Sequence, residues 1–221
     1  MEIMQAMKER HSVRQYTNKT LDNQIIGELQ TEIDFCNQQG DLHIQLVTNE
    51  PKAFDSFMAH YGKFSGVKNY IALVGKKSDK LDELCGYYGE HLVLKAQQLG
   101  LNTCWVAVSY KKIPGAFSVK EGEKLTAVIA LGYGKTQGSA HRSRKAAAVS
   151  RGGPDAPAWF WKGVEAALAA PTAMNQQHFR LTYEGGRVRS EAGIGFFSRL
   201  DLGIVKYHFE AGAGKDSSVF L

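Results

Sequence analysis

Arg10-His11-Ser12-Val13-Arg14-Gln15-Tyr16 is the stretch on which the reading of this chain turns. It follows a short segment, Met1 to Glu9, in which Ile3, Met4 and Met7 have near-helical spacing. Side chains of an extended backbone alternate with period two, so Arg10, Ser12 and Arg14 share a side, while Val13 and Tyr16 can anchor the segment. Two planar guanidinium forks and a short hydroxyl on one side match what an anionic phosphate requires. Taken by itself, an Arg-x-Ser-x-Arg also fits a solvated basic turn.

Two further stretches bear on that choice. Ala169-Ala170-Pro171-Thr172-Ala173-Met174-Asn175-Gln176-Gln177-His178-Phe179 lies between an Ala-rich helix and a strand. Glu90-His91 opens a segment that runs to Gly100-Leu101-Asn102-Thr103-Cys104-Trp105. Together the three resemble the flavin-dependent nitroreductase family, in its Arg-x-Ser-x-Arg, Ala-Pro-Ser-x-x-Asn-x-Gln and Leu-Gly-Leu-x-Thr-Cys-Trp motifs. The resemblance implies an α+β fold, an antiparallel-rich central sheet flanked by helices in a sandwich. It implies FMN as cofactor, with Arg10, His11, Ser12 and Arg14 at the phosphate and ribityl chain, and Arg142 or Arg144 assisting. Pro171, Thr172 and Ala173 would pack on a ring face, and Asn175 and Gln177 would reach the ring edge or ribityl hydroxyls. Loop hydrogen bonding is the other use of those two amides. Thr172 replaces the usual Ser but keeps the hydroxyl. A backbone N–H of Ala107 or Val108 would face flavin N5, where the family often has Glu-Gly.

The family's homodimers place FMN between subunits, with the arginine motif from one and the Pro-Ser-x-x-Asn motif from the other. In this chain, residues 25–46 and 160–181 align without a gap, each as helix, polar loop and strand, and the strands open on His43-Ile44-Gln45-Leu46 and His178-Phe179-Arg180-Leu181. The first copy has the arginines but Asp34-Phe35-Cys36 in place of Ala-Ala-Pro; the second has Ala169-Ala170-Pro171 but no clear arginine motif. The expectation is two fused half-copies mimicking a homodimer, residues 1–150 and a shortened 151–221, with one intact flavin site and a monomeric chain. Arg142-Ser143-Arg144 reads either as a decayed second arginine motif or as the family's basic C-terminal segment.

With 43% hydrophobic and 22% charged residues the composition is that of an ordinary globular protein. No apolar run approaches the roughly 20 residues of a membrane span, and the N-terminus has no signal-peptide pattern, which points to the cytoplasm. Cys36, Cys85 and Cys104 are far apart and show no ligand spacing, so neither a disulfide framework nor a metal site is expected. Despite a net charge of +5, the basic residues are dispersed except in His141-Arg142-Ser143-Arg144-Lys145, which argues against a nucleic-acid partner.

In chain order, Thr20 or Asp22 can cap a helix to about Cys36; 43–48 reads as a strand; Pro51 opens a short helix; Tyr70-Ile71-Ala72-Leu73-Val74 suits a central strand. Asp79 can cap a helix over 81–99, in which Gly86 and Gly89 imply close approach by another backbone. Strands 101–108 and 125–132 follow. Gly132-Tyr133-Gly134-Lys135-Thr136-Gln137-Gly138 is read as a turn. A Walker loop needs glycine where Ile129 stands, and no apolar helix follows for a dinucleotide fingerprint. Residues 135–157 read as a linker, 158–169 as a helix, 178–184 and 187–190 as a hairpin across Gly185-Gly186, 201–211 as a helix, and Val219-Phe220-Leu221 as an apolar plug.

The function expected from the resemblance is ping-pong electron transfer. FMN is reduced by NAD(P)H and reoxidised by a small-molecule acceptor such as a nitroaromatic or quinone, with no catalytic side chain. The alternative is a flavin-binding protein without redox turnover.

Overall fold

The computed structural model describes all 221 residues. In chain order the elements are α1 (Ile3–Glu9), α2 (Asn23–Gly40), β1 (Gln45–Val47), α3 (Phe57–Tyr61), β2 (Asn69–Lys76), α4 (Leu81–Gln98), β3 (Asn102–Val106), β4 (Glu123–Gly132), α5 (Ala146–Val149), β5 (Ser150–Arg151), α6 (Ala158–Leu168), β6 (Phe179–Glu184), β7 (Arg187–Ala192) and α7 (Ser198–Ala213). They form two compact units that interleave along the chain. The sheet unit is Glu9–Leu81 with Leu92–Ala140, and the terminal unit is Met1–Lys8, Asp82–His91 and His141–Leu221. This division departs from a sequential one at residue 150. The N-terminal helix and the first half of α4 belong with the C-terminal segment, which local sequence cannot announce.

The sheet unit is built on four antiparallel strands in the order β1-β2-β4-β3. The apolar run at Tyr70–Val74 lies in β2, between β1 and β4, and is buried on both faces. One face carries Tyr70, Ala72, Val74, Val128 and Ala130, packed with Val13, Tyr16, Phe54, Phe64 and Cys104. The opposite face presents Ile71, Leu73, Ile129 and Leu131, and the buried stripe of α2 is Leu29, Ile33 and Cys36. Asp22 caps α2 by accepting from Ile25 N at 2.8 Å. The helix runs past Cys36 to Gly40 because its residues tolerate helix and the left-handed exit is taken by Asp41. Asn37 then brackets Ile44, donating to its carbonyl and accepting from its N–H. α4 begins without a side-chain cap; instead of Asp79, acidic Asp82 and Glu83 occupy the positive end of its dipole. The Pro51 segment is a 3₁₀ turn, and the helix proper starts later, capped by Ser56.

The terminal unit packs α6 on α7 around Phe160 and Phe209, with Trp159 edge-on to Tyr183, and Tyr183 and Phe220 tilted against Phe160 and Phe209. The β6–β7 hairpin turns through Gly185 and Gly186, both at positive φ, and β5 adds in parallel to β6. Part of the expected linker is thus α5 and β5. Val219 and Phe220 are buried, with Phe220 bridged to Val188, while Leu221 is exposed. The residues of α4 in this unit meet α7 at two glycines. A Cβ on Gly86 would land on the Leu200 carbonyl, and one on Gly203 would land on the Glu83 carbonyl. Polar pairs flank that contact: Lys206–Glu83 at 2.7 Å, Tyr87 donating to Glu210 at 2.6 Å, and Tyr207 with His91 at 3.2 Å. His208 and Glu90, both fully buried, are joined at 2.9 Å. The other imidazole nitrogen, Nδ1, faces the Ala166 carbonyl at 3.1 Å and must donate, so Nε2 and the carboxylate share the remaining proton.

Gly203→Ala is expected to lower unfolding free energy by about 3 kcal/mol, the upper end of overpacking losses. Gly27→Ala, in α2 with nothing near its added methyl, should raise it by up to about 1 kcal/mol. Urea denaturation of both variants checks the contrast. Glu90→Ala should cost about 3 kcal/mol or more by stranding buried His208, and Glu90→Gln, which can still donate to Nε2, clearly less.

Candidate functional site

In the sheet unit, residues 10–16 are held in an extended course by bonds on both sides. Val13 N donates to Thr103 O at 3.0 Å, Tyr16 N to Ser65 O at 2.9 Å, and Ser65 N to Arg14 O at 3.0 Å. Thr17 N donates to Tyr133 O, and Lys135 N to Gln15 O. Tyr16 is buried, and its hydroxyl donates to the carbonyl of Val13 at 2.7 Å, with Ala130 O at 3.3 Å. Burial pushes that phenol well above its ordinary pKa, so it remains a donor.

Val13 packs in the core cluster that also holds Cys104 on β3. Arg10 is buried, Ser12 half-buried and Arg14 exposed. Burial raises the Cys104 thiol. Arg14, Ser12 and Arg10 pull it the other way. Arg10 is only 3% exposed, whereas Arg14 is exposed and lies over the Phe64 ring at 6.0 Å. Arg14 also lines a cavity of about 390 Å³ with Tyr61, Phe64, Trp105, Ala107 and Val108. The two residues expected near flavin N5 therefore share a pocket with the motif's last arginine.

The Gly132–Gly138 turn has a role that its sequence did not reveal. A Cβ on Gly134 would collide with the Asn102 amide and Val13, and one on Gly138 with His11. Gly134 N donates to Asn102 Oδ1 at 2.9 Å. The glycines let this turn lie against residues 11–13, and His11 is half-buried beneath it.

In the terminal unit the Pro171–Gln177 segment is a tight turn. Met174, Asn175 and Gln177 all have left-handed backbones at φ 50, 54 and 47, and the Met174 side chain is fully exposed. Pro171, Thr172 and Ala173 are half-buried, and Thr172 Oγ1 accepts from Gln177 N at 3.0 Å. The two amides expected to reach the flavin are engaged by the chain. Asn175 Nδ2 donates to Arg142 O at 2.9 Å. Gln177, 1% exposed, accepts from Arg144 N at 2.7 Å and donates towards Leu168 O and Asn175 Oδ1. They act as scaffold, tying the 142–144 segment to the turn. The Arg142 and Arg144 side chains are exposed, and Arg144 lines a groove of about 440 Å³ with His178 and Arg180.

Asp201 is a residue that the sequence reading did not single out. The last helix begins at Ser198, and Asp201 sits buried in its first turn, accepting from Ala173 N at 2.9 and 3.1 Å. The one available signal was an acidic residue in a helix's first turn.

The sequence model of the family described as "Putative TM nitroreductase" matches residues 2–213. A crystal structure of a "putative nitroreductase" from Thermotoga maritima shares the fold with TM-score 0.66 and 22% identity, over 96% of this chain and 83% of that one. A "putative nitroreductase" from Desulfovibrio desulfuricans in complex with FMN matches with TM-score 0.53 and 16% identity, over 67% of this chain and 95% of that one. A "Putative NADH Oxidase" from Clostridium acetobutylicum matches with TM-score 0.51 and 18% identity, over 65% and 96%. No curated protein matches the chain. No helix is long and apolar enough to cross a membrane. With the family's sequence model covering all but its first residue and its last eight, the chain belongs to this nitroreductase family.

Proposed function

We propose that the chain is a flavin oxidoreductase that retains FMN through Arg10, Ser12 and Arg14, takes electrons from NAD(P)H and passes them to a small nitroaromatic or quinone-like acceptor in two half-reactions. The observation that carries this is the cavity in the sheet unit that the motif's Arg14 lines together with Ala107 and Val108. The donor set fits a dianionic phosphate: two guanidiniums supply forked, charge-assisted donors and Ser12 a short hydroxyl. Arg10 is largely withdrawn from water, where its charge acts through a lower dielectric than at the surface.

When bound, FMN supplies the hydride and electron chemistry; the chain supplies position, field and access. Main-chain bonds to Thr103, Ser65 and Tyr133 hold the arginine segment in place before any ligand arrives, so little ordering entropy is spent on binding. The backbone of Ala107 or Val108 is assigned to the ring's reactive edge, and Trp105 and Tyr61 to the walls that admit a flat acceptor. In the terminal unit, the Pro171–Ala173 surface is assigned to a flavin ring face, and Arg142 and Arg144 to an anionic group. The occupied amides of Asn175 and Gln177 leave them the role of shaping that surface. We also propose that the chain is a fused pair of half-copies acting as a monomer. In support, helix–loop–strand recurs as α2–β1 and α6–β6, and the FMN-bound Desulfovibrio chain spans about two thirds of this one. The Asn-Gln-Gln trio differs between the copies, ending a helix in the first and forming a turn in the second.

Arg14→Ala, an exposed change that should leave folding intact, is expected to weaken FMN binding by about 10- to 100-fold, the loss of one or two charge-assisted hydrogen bonds. Adding Arg10→Ala should abolish retention. Flavin fluorescence titration measures both, and unchanged affinity in the double variant rejects the phosphate assignment. The reconstituted protein should lose its yellow absorbance under anaerobic NADH or NADPH and regain it with a quinone. Yellow protein that neither donor bleaches would be a flavin carrier, not an oxidoreductase.

A further inference from the structure

The Pro171–Gln177 turn is expensive to hold. Three of its residues, none of them glycine, have left-handed backbones, a conformation that persists only where the surroundings impose it. Much of the imposition comes from one carboxylate. Asp201, 2% exposed, accepts the Ala173 N–H on Oδ1 at 2.9 Å and Oδ2 at 3.1 Å. Its Oδ2 also accepts from Gln176 Nε2 at 3.1 Å, and the second hydrogen of that amide goes to Phe196 O at 2.8 Å. Both anchor points of the turn, one backbone and one side chain, are donors. They require an acceptor on α7 with lone pairs to spare, which an ionised carboxylate has and a carboxylic acid has only in part.

We propose that Asp201 is a positioning residue that acts only when ionised: its carboxylate pins the Ala173–Gln176 turn in the shape presented to the flavin, and protonation loosens the turn and weakens flavin retention. This rests on the assignment of the turn to the flavin ring. A proton on Oδ2 would set donor against donor at the Gln176 amide, and a proton on Oδ1 would take away the shorter of the two bonds from Ala173 N–H; either way the pin weakens. Burial raises the carboxyl from its usual range to about 6; the Ala173 N–H, the Gln176 amide and His178 pull it back. His178, from the segment entering β6, is the ionisable neighbour that acts on it, and its Nδ1 is directed to Ile194 O.

The sign of the linkage separates this role from a purely structural one. Because the folded pKa lies above the unfolded value, ionised Asp201 opposes folding. Its contribution to stability is fully present below about pH 4 and is lost as pH rises through about 6. Acidification should therefore favour the fold through this group while it frees the turn. A residue kept only for stability would move both the same way.

The test compares wild type with Asp201→Asn from pH 7.5 to 5, reading amide-exchange protection at Ala173, FMN affinity and urea stability. Wild type should lose Ala173 protection and bind FMN about tenfold more weakly, with a midpoint near 6. Asp201→Asn should be unfolded less readily than wild type at pH 7.5, bind FMN weakly at both ends, and show no midpoint of its own. The phosphate of FMN also titrates near pH 6, but it is common to both proteins, so only the difference between them counts. Identical pH profiles for the two proteins, or wild-type affinity in Asp201→Asn at pH 7.5, overturn the proposal. Loss of Ala173 protection with unchanged FMN affinity leaves the pin in place and overturns its link to the flavin. Exchange at Ala173 can be read without FMN, so a chain that binds no flavin fails the functional reading while the pin is still measured.

Discussion

The bond from Val13 N to Thr103 O docks the N-terminal arginine segment onto the edge strand β3. Where Arg10, Ser12 and Arg14 stand depends on that docking, because side-chain direction in an extended segment follows from its register. Shift residues 10–16 by one position and Val13 would leave the core while Arg14 turned into it. The buried Tyr16 hydroxyl, tied to the Val13 and Ala130 carbonyls, fixes the register from inside the unit. The glycines at 134 and 138 fix it from outside, since any side chain there would lift the covering turn away.

The same device, backbone brought close by missing side chains, organises the terminal unit. Gly86 and Gly203 let the residues of α4 and α7 touch main chain to main chain; in α6 and α7, Gly163 makes room for the Phe209 ring and Gly212 lies against the Lys162 carbonyl. Close approach excludes water, and polar groups at such a contact must find partners within the protein. Lys206, Tyr87, His91 and the buried His208–Glu90 pair meet that demand. Placing α7 also places Asp201, and through it the strained turn that begins at Pro171. A helix contact set by two glycines thereby determines where a carboxylate meets a loop some 28 residues away in sequence.

Much of the architecture follows from patterns readable along the chain. The continuous apolar run at 70–74 announces a strand covered on both faces, Asp22 announces a helix start, Gly185-Gly186 a hairpin, and Gly86 inside α4 a backbone contact. Asp79 misled because an acidic cap and an acidic first turn satisfy the same dipole, and here Asp82 and Glu83 do so. The extent of α2 misled because Asn37-Gln38-Gln39 is compatible with both helix and loop, and only Asp41's left-handed exit ends it. Met1–Lys8 and Asp82–His91 join the C-terminal unit for reasons of surface complementarity that no local window contains.

By itself, the sequence determined which residues carry the charge and hydroxyls of an anion-binding pattern, because residue type and spacing are local properties. It determined most of the longer strands and helices for the same reason, but not α5 and β5. Only the tertiary structure decided that Arg10 is buried while Arg14 is open to a cavity, and that the amides of Asn175 and Gln177 serve the 142–144 segment. It also decided that a carboxylate on the last helix holds the turn. Burial, and the choice among competing hydrogen-bond partners, depend on which distant surfaces arrive, and that is a property of the folded chain alone.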